Sequence, residues 1–288
     1  MPRQRSRAGN QIELLEARHL LSAGGPDLTV QPIGSPPPQA AFGAPGTATF
    51  RLTNAGDATL AGKVSLNVLL SSDTTADASD RTAATSSPML RLKPGKSKKI
   101  TLRFSYPSDL PEGDYFVLCQ ANADHALAET DFTNDSAAMV GTVHVGPPFI
   151  DLSIRISSLS DKYRVGRFGK IDVNVFNSGN TFFDDRPVIR VVASKDQNLS
   201  DDDIELFNST THIRLAPGRN KIFHLSFVGP LEMNPNVSGN ITYYAIAKVD
   251  ATNIISEKDE SNNVAVSNVT FEAQPFSLNP FDSGSIFG

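Results

Sequence analysis

Apolar and polar residues alternate with a period of two along several short stretches of the chain. In the stretch 46–53, Ala48, Phe50 and Leu52 are each separated by one residue. This alternation is typical of a β-strand with one face in a core and the other in water. It predicts an all-β fold, with about seven strands in the first half of the chain. These strands are expected near 27–33, 46–53, 63–71, 88–92, 98–106, 114–121 and 137–145.

The chain also repeats itself. The segment Leu92–Lys96 recurs as Leu215–Arg219, 123 positions later, and Glu129–Asn134 recurs as Glu257–Asn262, 128 positions later. The difference predicts a five-residue insertion, which we place in the loop Gly229–Gly239. A repeat of this length predicts two tandem immunoglobulin-like β-sandwiches of about seven strands each.

The repeat and the Gly- and Pro-rich stretches predict where the domains begin and end. In the first copy, Leu110–Tyr115 resembles a tyrosine corner, in which a Tyr hydroxyl donates to nearby backbone. The tail is expected to be disordered, with a docking peptide as the alternative. The predicted boundaries are an N-terminal targeting-like segment at 1–26, a first sandwich at 27–146, a linker at 147–149, a second sandwich at 150–272 and the tail at 273–288.

Several short motifs occur once in each copy. They are the openings Asp27–Leu28 and Asp151–Leu152, the turns Asn54–Gly56 and Asn177–Gly179, the segments Ser71–Asp73 and Ser194–Asp196, a Leu-x-Pro-Gly turn, and a late acidic motif ending in Asn. Together they resemble the bacterial cell-adhesion-related domain known as CARDB, roughly over 27–272. The first copy departs from the pattern at Asn134–Asp135, where the second has Asn262–Asn263. The resemblance implies an extracellular adhesion or spacer module, generally without catalytic activity.

The N-terminal segment carries a motif of its own. Ile12–Ser22 resembles the Leu-Glu-Pro-Arg-x-Leu-Leu motif that begins many large planctomycete surface proteins, with Ala17 in place of the proline. Arginines precede it, but no continuous apolar region of a secretory signal follows. An extracellular or cell-surface location is therefore implied by the resemblance alone. The alternative is a short amphipathic helix that ends at Gly24–Pro26.

Charge and composition exclude several classes of function. The formal net charge is −5 with no basic stripe, which argues against nucleic-acid binding. No run of about 18 apolar residues is present, so no transmembrane helix is expected. The five histidines lack zinc-ligand spacing, and the single cysteine, Cys119, aligns with Ala247 as a small buried residue. No catalytic motif is found, so we do not expect an enzyme.

Aspartates in loops are the one set of candidate ligands. Asp73, Asp77 and Asp80 follow the third strand of the first copy, while Glu257 and Asp259 precede the last strand of the second. In tandem immunoglobulin-like domains these loops face each other across the linker, and Ca²⁺ takes six to eight oxygen ligands. We therefore predict a calcium site at the domain junction. The alternative is that these carboxylates only stabilise their own turns, and no cofactor is then required.

The function expected from these features is a non-catalytic adhesion or spacer module that contacts a protein or cell-surface partner, through loops or exposed strand edges. The alternative is a carbohydrate-binding or accessory module of a secreted enzyme system. Carbohydrate platforms expose aromatic rings, and the best candidates in this sequence are Phe182 and Phe183 beside the Asn-Ser-Gly turn.

Overall fold

The computed structural model describes residues 24–236 and 238–276, which form two β-sandwiches that follow each other along the chain. The predicted targeting-like segment, except for Gly24–Pro26, and the tail beyond Phe276 lie outside the described residues. The first sandwich contains eleven strands: β1 (Leu28–Pro32), β2 (Gln39–Ala41), β3 (Pro45–Asn54), β4 (Leu60–Lys63), β5 (Leu66–Ser71), β6 (Arg81–Ser86), β7 (Met89–Leu92), β8 (Ser97–Ser105), β9 (Gly113–Ala121), β10 (Ser136–Ala138) and β11 (Val143–Gly146).

Two main sheets face each other in this sandwich. One has the order β1-β3-β8 and is antiparallel throughout. The other has the order β2-β11-β9-β5-β6, with β2 and β11 parallel, and β10 pairs with β9. β4 and β7 form a separate antiparallel pair.

The second sandwich repeats this arrangement strand for strand, with sheets β12-β14-β19 and β13-β22-β20-β16-β17, a β15–β18 pair, and β21 on β20. Two short 3-10 helices lie at Leu231–Met233 and Ser261–Asn263. The strands are β12 (Leu152–Leu159), β13 (Lys162–Arg164), β14 (Phe168–Asn177), β15 (Phe183–Asp185), β16 (Val188–Ser194), β17 (Ile204–Thr210), β18 (Ile213–Leu215), β19 (Asn220–Val228), β20 (Ile241–Lys248), β21 (Val264–Val266) and β22 (Phe271–Gln274).

The predicted alternation is confirmed by the cores. Ala48, Phe50 and Leu52 are buried in the first core, as are their counterparts Ile171, Val173 and Val175 in the second. Burial of apolar area of this kind is the dominant favourable term in folding. The prediction of two all-β immunoglobulin-like sandwiches therefore holds.

Strand number was underestimated. The predicted strand 63–71 corresponds to β5, and only its first residue, Lys63, lies in β4, because the chain leaves the β4–β7 pair near Val64 before it joins the larger sheet. The predicted strand 137–145 is divided into β10 and β11. Three strands, β2, β4 and β6, were not predicted. β2 has only three residues, and the side chains of β6 are exposed or half-buried, so it lacks an alternating apolar face.

Three smaller predictions are confirmed. The Tyr115 hydroxyl donates to the Pro111 carbonyl at 2.8 Å, and Tyr243 makes the same bond to the Met233 carbonyl at 2.9 Å. The extra residues of the second copy lie between β19 and β20. Cys119 is buried at the position of Ala247, and burial raises the pKa of its thiol to about 12.

The predicted end of the second sandwich is two residues too early. β22 extends to Gln274, where it pairs with both β13 and β20. Ala273, which the sequence assigned to the tail, is fully buried in the core. Ala273 and Gln274 directly precede the Pro-Phe repeat that begins at Pro275, and were therefore assigned to the tail from the sequence.

The Asn-x-Gly turns have a structural role. Asn54 is fully buried, and its Oδ1 accepts from the backbone N–H groups of Asp27 and Gly56. Its Nδ2 donates to the carbonyls of Ala58 and Leu92. One side chain thus joins the opening strand, its own turn and the end of β7, which explains why three separate motifs recur together.

Asn177 has the same position in the second sandwich. Its Nδ2 donates to the carbonyls of Thr181 and Leu215, and its Oδ1 accepts from the Gly179 N–H. A Cβ at Gly179 would lie 2.6 Å from the Phe149 carbonyl oxygen, so the turn needs glycine for the close approach of the backbone.

We expect Asn54→Ala to lower the free energy of unfolding by about 2–4 kcal/mol, because two carbonyls, one of them buried, and two N–H groups lose a partner. Urea denaturation measures the change. The matched control is Asn208→Ala, since Asn208 is exposed and should cost less than about 0.5 kcal/mol. Equal effects of the two substitutions would contradict the role given to Asn54.

Candidate functional site

The loop aspartates predicted as calcium ligands hold their own turns together. Asp73 Oδ1 accepts from the Thr75 N–H, and Asp77 Oδ1 accepts from the N–H and hydroxyl of Ser79. Asp80 Oδ2 accepts from the Asp77 N–H. The hydrogen bonds from Ser79 lower the pKa of Asp77 below its ordinary value.

The two late-loop residues of the predicted site differ from each other. Asp259 is another turn residue, which accepts from the N–H and hydroxyl of Ser261. Glu257 instead accepts from the Leu152 N–H at the start of β12. The junction set of Asp73, Asp77, Asp80, Glu257 and Asp259 is not gathered around one point, and that calcium site stays a prediction.

A different acidic group forms around Glu257. Oxygens of Asp250, Glu257 and Glu260 all lie within 4.8 Å of one another. In the part of the chain that the structure describes, no other group of three or more potential His, Cys, Asp or Glu ligands is this compact. Asp250 is fully buried, Glu257 is half-buried and Glu260 is exposed, so the group reaches from the core to the surface.

Hydrogen bonds hold this group in place. Asn263 Nδ2 donates to Glu257 Oε1 at 3.0 Å and to Glu260 Oε2 at 3.1 Å. Asp250 accepts from the N–H groups of Ile254 and Ile255. Burial, together with the nearby negative charges of Glu260 and Asp250, raises the pKa of Glu257 to about 7.

The first sandwich has a corresponding group. Glu129 accepts from the Leu28 N–H as Glu257 does from Leu152, and Asn122 Nδ2 donates to its other oxygen. Asp135 completes the group, and its side chain is only 4% exposed. Burial first, and then the charge of Glu129, raises the pKa of Asp135 to about 8. We call Asn122, Glu129 and Asp135 the first end cluster.

The second end cluster, Asp250, Glu257 and Asn263, occupies the same positions with Asp and Asn exchanged. The repeat spacing of 128 residues pairs Asn122 with Asp250 and Asp135 with Asn263. The backbone confirms the pairing, since Asp135 O accepts from Ala121 N at 2.8 Å and Asn263 O accepts from Val249 N at 3.0 Å. Each cluster therefore contains one Glu, one Asp and one Asn.

Sequence reasoning missed Asp135, Asp250 and Glu260. A signal for the first two was present, because an in-register comparison of the copies shows the exchange of Asn and Asp. Glu260 carried no such signal, since Phe132 occupies its position in the first copy.

The aromatic pair proposed for carbohydrate binding is not a platform. Phe183 is buried in the second core, at 4% exposure, because β15 directs it inward. Only Phe182 is exposed, and the Arg214 guanidinium lies 5.6 Å from the centre of its ring. The expectation that both rings face solvent was therefore wrong.

No helix in the described ranges is long and apolar enough to cross a bilayer.

The end clusters predict how stability depends on pH when divalent cations are removed. The pKa of Asp135 is about 8 in the folded chain against an ordinary value of 3.8, and that of Glu257 is about 7 against 4.5. The folded state therefore holds more protons than the unfolded state between about pH 4 and pH 8. The contribution of these two groups to the free energy of unfolding should therefore be greatest below about pH 4. It should fall as the pH rises to about 8.

Urea midpoints in chelator at pH 5 and pH 8.5 measure this dependence. We expect the double variant Asp135→Asn/Glu257→Gln to remove most of it, while Asp109→Asn, which changes an exposed carboxylate, should leave it intact. A midpoint that rises between pH 5 and pH 8.5 and is unaffected by the double variant would contradict the assignment.

One known protein family matches part of this chain. The model of the CARDB family matches residues 25–139. A CARDB domain from Pyrococcus furiosus, crystallised in complex with di-metal ions, is 23% identical, with a TM-score of 0.31, and the alignment covers 44% of this chain and 94% of that one. A solution structure of the same domain is 24% identical, at the same TM-score, over 44% and 96% of the two chains.

A β-glucosidase from Listeria innocua in complex with glucose is 19% identical, with a TM-score of 0.28, over 42% of this chain and 16% of that one. No curated protein matches the chain significantly. The segment that matches the CARDB model begins at Gly25 and ends just after β10. The first sandwich thus carries the match to the CARDB family.

Proposed function

We propose that the chain is a tandem CARDB protein that acts as a non-catalytic spacer or adhesion module outside the cell or on its surface, through protein interactions. The family match on the first sandwich and the same strand order in the second support this proposal. The observation that carries it is the anchored junction between the two sandwiches, because a spacer must fix the distance between what lies at its two ends.

The linker is anchored on both sides. On the first sandwich, the Gly146 carbonyl accepts from the Phe42 N–H at 2.9 Å. On the second, Asn180 brackets the linker, since its Oδ1 accepts from the Phe149 N–H and its Nδ2 donates to the Pro147 carbonyl, both at 2.8 Å. Asn180 is itself only 3% exposed, so this clamp is part of the folded domain.

A charged contact adds to the clamp. The Lys258 ammonium lies 4.3 Å from the centre of the Phe149 ring, and the Lys258 N–H donates to the Ile150 carbonyl at 2.9 Å. Two consecutive prolines, Pro147 and Pro148, restrict the backbone between the domains. The junction therefore has few freely rotating bonds, as a spacer requires.

Small-angle scattering of the full chain tests the spacer. We expect the parent protein to scatter as one shape with a narrow range of domain orientations. The variant Pro147→Gly/Pro148→Gly/Asn180→Ala should scatter as a broader ensemble, because it loses both the stiff backbone and the clamp. If the parent data already require as broad an ensemble as the variant, the spacer proposal is wrong.

The location is tested separately, on intact cells of the source organism. Antibody raised against the folded chain should label the cells without permeabilisation, and protease added outside should remove the label. Labelling that appears only after permeabilisation would contradict a place at the cell surface, while recovery of the protein from the medium would support a secreted form.

A further inference from the structure

We propose that each sandwich binds one Ca²⁺-class cation at its end cluster, through Glu129, Asp135 and Asn134 in the first and through Asp250, Glu257, Glu260, Asn262 and Asn263 in the second. The proposal does not depend on the adhesion or spacer function.

Buried oxygens without a hydrogen-bond partner occur in both end clusters. In the described residues, five buried side-chain atoms have no hydrogen-bond partner; three are oxygens of the end-cluster residues Asp135 and Asn263, and two are oxygens of the residues that directly precede them in the sequence. Buried polar groups are almost always paired, and each unpaired acceptor costs about 1–3 kcal/mol. The atoms are Asn134 Oδ1, both carboxylate oxygens of Asp135, Asn262 Oδ1 and Asn263 Oδ1.

The positions of these atoms agree between the copies. Asn134 and Asn262 are equivalent, and each donates its Nδ2 to the aspartate that opens its sandwich, at 3.0 Å to Asp27 and at 2.7 Å to Asp151. Each therefore keeps its Oδ1 free on the other side. The next residue, Asp135 or Asn263, is 4% or 0% exposed and also presents unpaired oxygen.

Protonation alone does not satisfy these groups. A proton shared between Asp135 and Glu129 would give the Asp135 carboxyl a partner. Three of the five unpaired atoms are amide oxygens, however, which need an external donor or a cation. Water can donate to them, but it does not neutralise the two or three carboxylates alongside, whereas a divalent cation does both.

The geometry and the donor type fit calcium. Ca²⁺ binds oxygens at about 2.3–2.6 Å, so two ligands of one ion lie no more than about 5 Å apart. Oxygens of Asp250, Glu257 and Glu260 meet this limit, since they lie within 4.8 Å of one another. All proposed ligands are carboxylate or amide oxygens, the hard donors that suit Ca²⁺ rather than Zn²⁺ or Cu²⁺.

The exchange of Asn and Asp preserves the charge. If both exchanged positions of a cluster were Asp, the cluster would contain three carboxylates. If both were Asn, Glu129 or Glu257 would be its only carboxylate. The exchange keeps two carboxylates in each cluster, while an amide still donates to the Glu: Asn122 in the first copy and Asn263 in the second. A bound cation would explain both features. The two carboxylates would supply the negative charge that it needs, and the amide would hold the Glu carboxylate in the orientation that binding needs.

The two sites should differ in affinity. Glu260 adds a third carboxylate to the second site, whereas the first has Phe132 at that position. Calcium affinity rises with the number of charged ligands, so the second site should bind more tightly. The first remains accessible, because Glu129 also lines an open cavity of about 610 Å³ together with Asp27 and Asp57.

Calorimetric titration of the chelator-treated full chain with CaCl₂ at pH 7.5 tests the proposal. We expect two Ca²⁺ per chain, in a tighter and a weaker event. Asp250→Asn should weaken the tighter event at least about tenfold, and Asp135→Asn should do the same to the weaker event. Asp135→Asn also relieves repulsion from Glu129, so its thermal melt in chelator should show a folded chain at least as stable as the parent.

A variant that exchanges the Asp and the Asn of one cluster distinguishes cation binding from a structural role. Asp250→Asn/Asn263→Asp rebuilds in the second sandwich the arrangement of the first, and should recover most of the affinity lost by Asp250→Asn alone. A merely structural role for Asp250 predicts no such recovery. The matched control, Asp73→Asn/Asp77→Asn/Asp80→Asn, removes three loop carboxylates and should leave both events in place.

Three results would overturn the proposal: no saturable uptake at millimolar Ca²⁺, uptake that Asp250→Asn and Asp135→Asn leave unchanged, or failure of the exchange variant to recover affinity although it folds. Uptake lost in the triple loop variant would assign the ion to the Asp73–Asp80 loop instead.

Discussion

The structure places one half-buried and one buried carboxylate at the same end of each sandwich. Glu129 and Glu257 are held there because each accepts the first N–H of its opening strand, from Leu28 and Leu152. That bond closes the end of the core where the chain enters the domain. The second carboxylate, Asp135 or Asp250, is then buried beside a like charge, which is costly unless something balances it.

The rest of each domain is organised around the same end. The buried Asn54 connects the opening strand to the turn after β3 and to the Leu-x-Pro-Gly turn, and the buried Asn177 connects the turn after β14 to the second Leu-x-Pro-Gly turn. In the second sandwich this end faces the linker, where Asn180 and Lys258 hold Phe149. Glu257 of the second end cluster is adjacent in sequence to Lys258, which contacts the linker residue Phe149. A change in the charge of the second end cluster would therefore act next to residues that hold the linker.

Much of the fold could be predicted from sequence because period-two alternation reports directly on burial. Phe50 and Leu52 identify a core strand, and their counterparts Val173 and Val175 confirm its register. The short strands could not be predicted in this way. β2 spans three residues, and the side chains of β6 are at most half-buried, so neither shows an apolar periodicity.

The candidate site was harder to predict than the fold. Asp73 and Asp77 stand out in the sequence because aspartates are frequent in turns, and the structure shows them bonded to their own turns. Asp250 and Asp135 are single residues at the ends of strands, and each aligns with an Asn in the other copy. Their significance arises from burial and from missing partners, which alternation and motif spacing do not report.

Cations bound at the end clusters would balance the buried negative charge there. Anomalous diffraction from crystals of the full chain grown with Ca²⁺ tests it most directly, because it locates the ion rather than its effect. We expect one peak among Asp250, Glu257 and Asn262 and a second among Glu129, Asp135 and Asn134, with oxygen ligands at about 2.3–2.6 Å. Well-ordered crystals with water at both positions, or with calcium only at the Asp73–Asp80 loop, would contradict it.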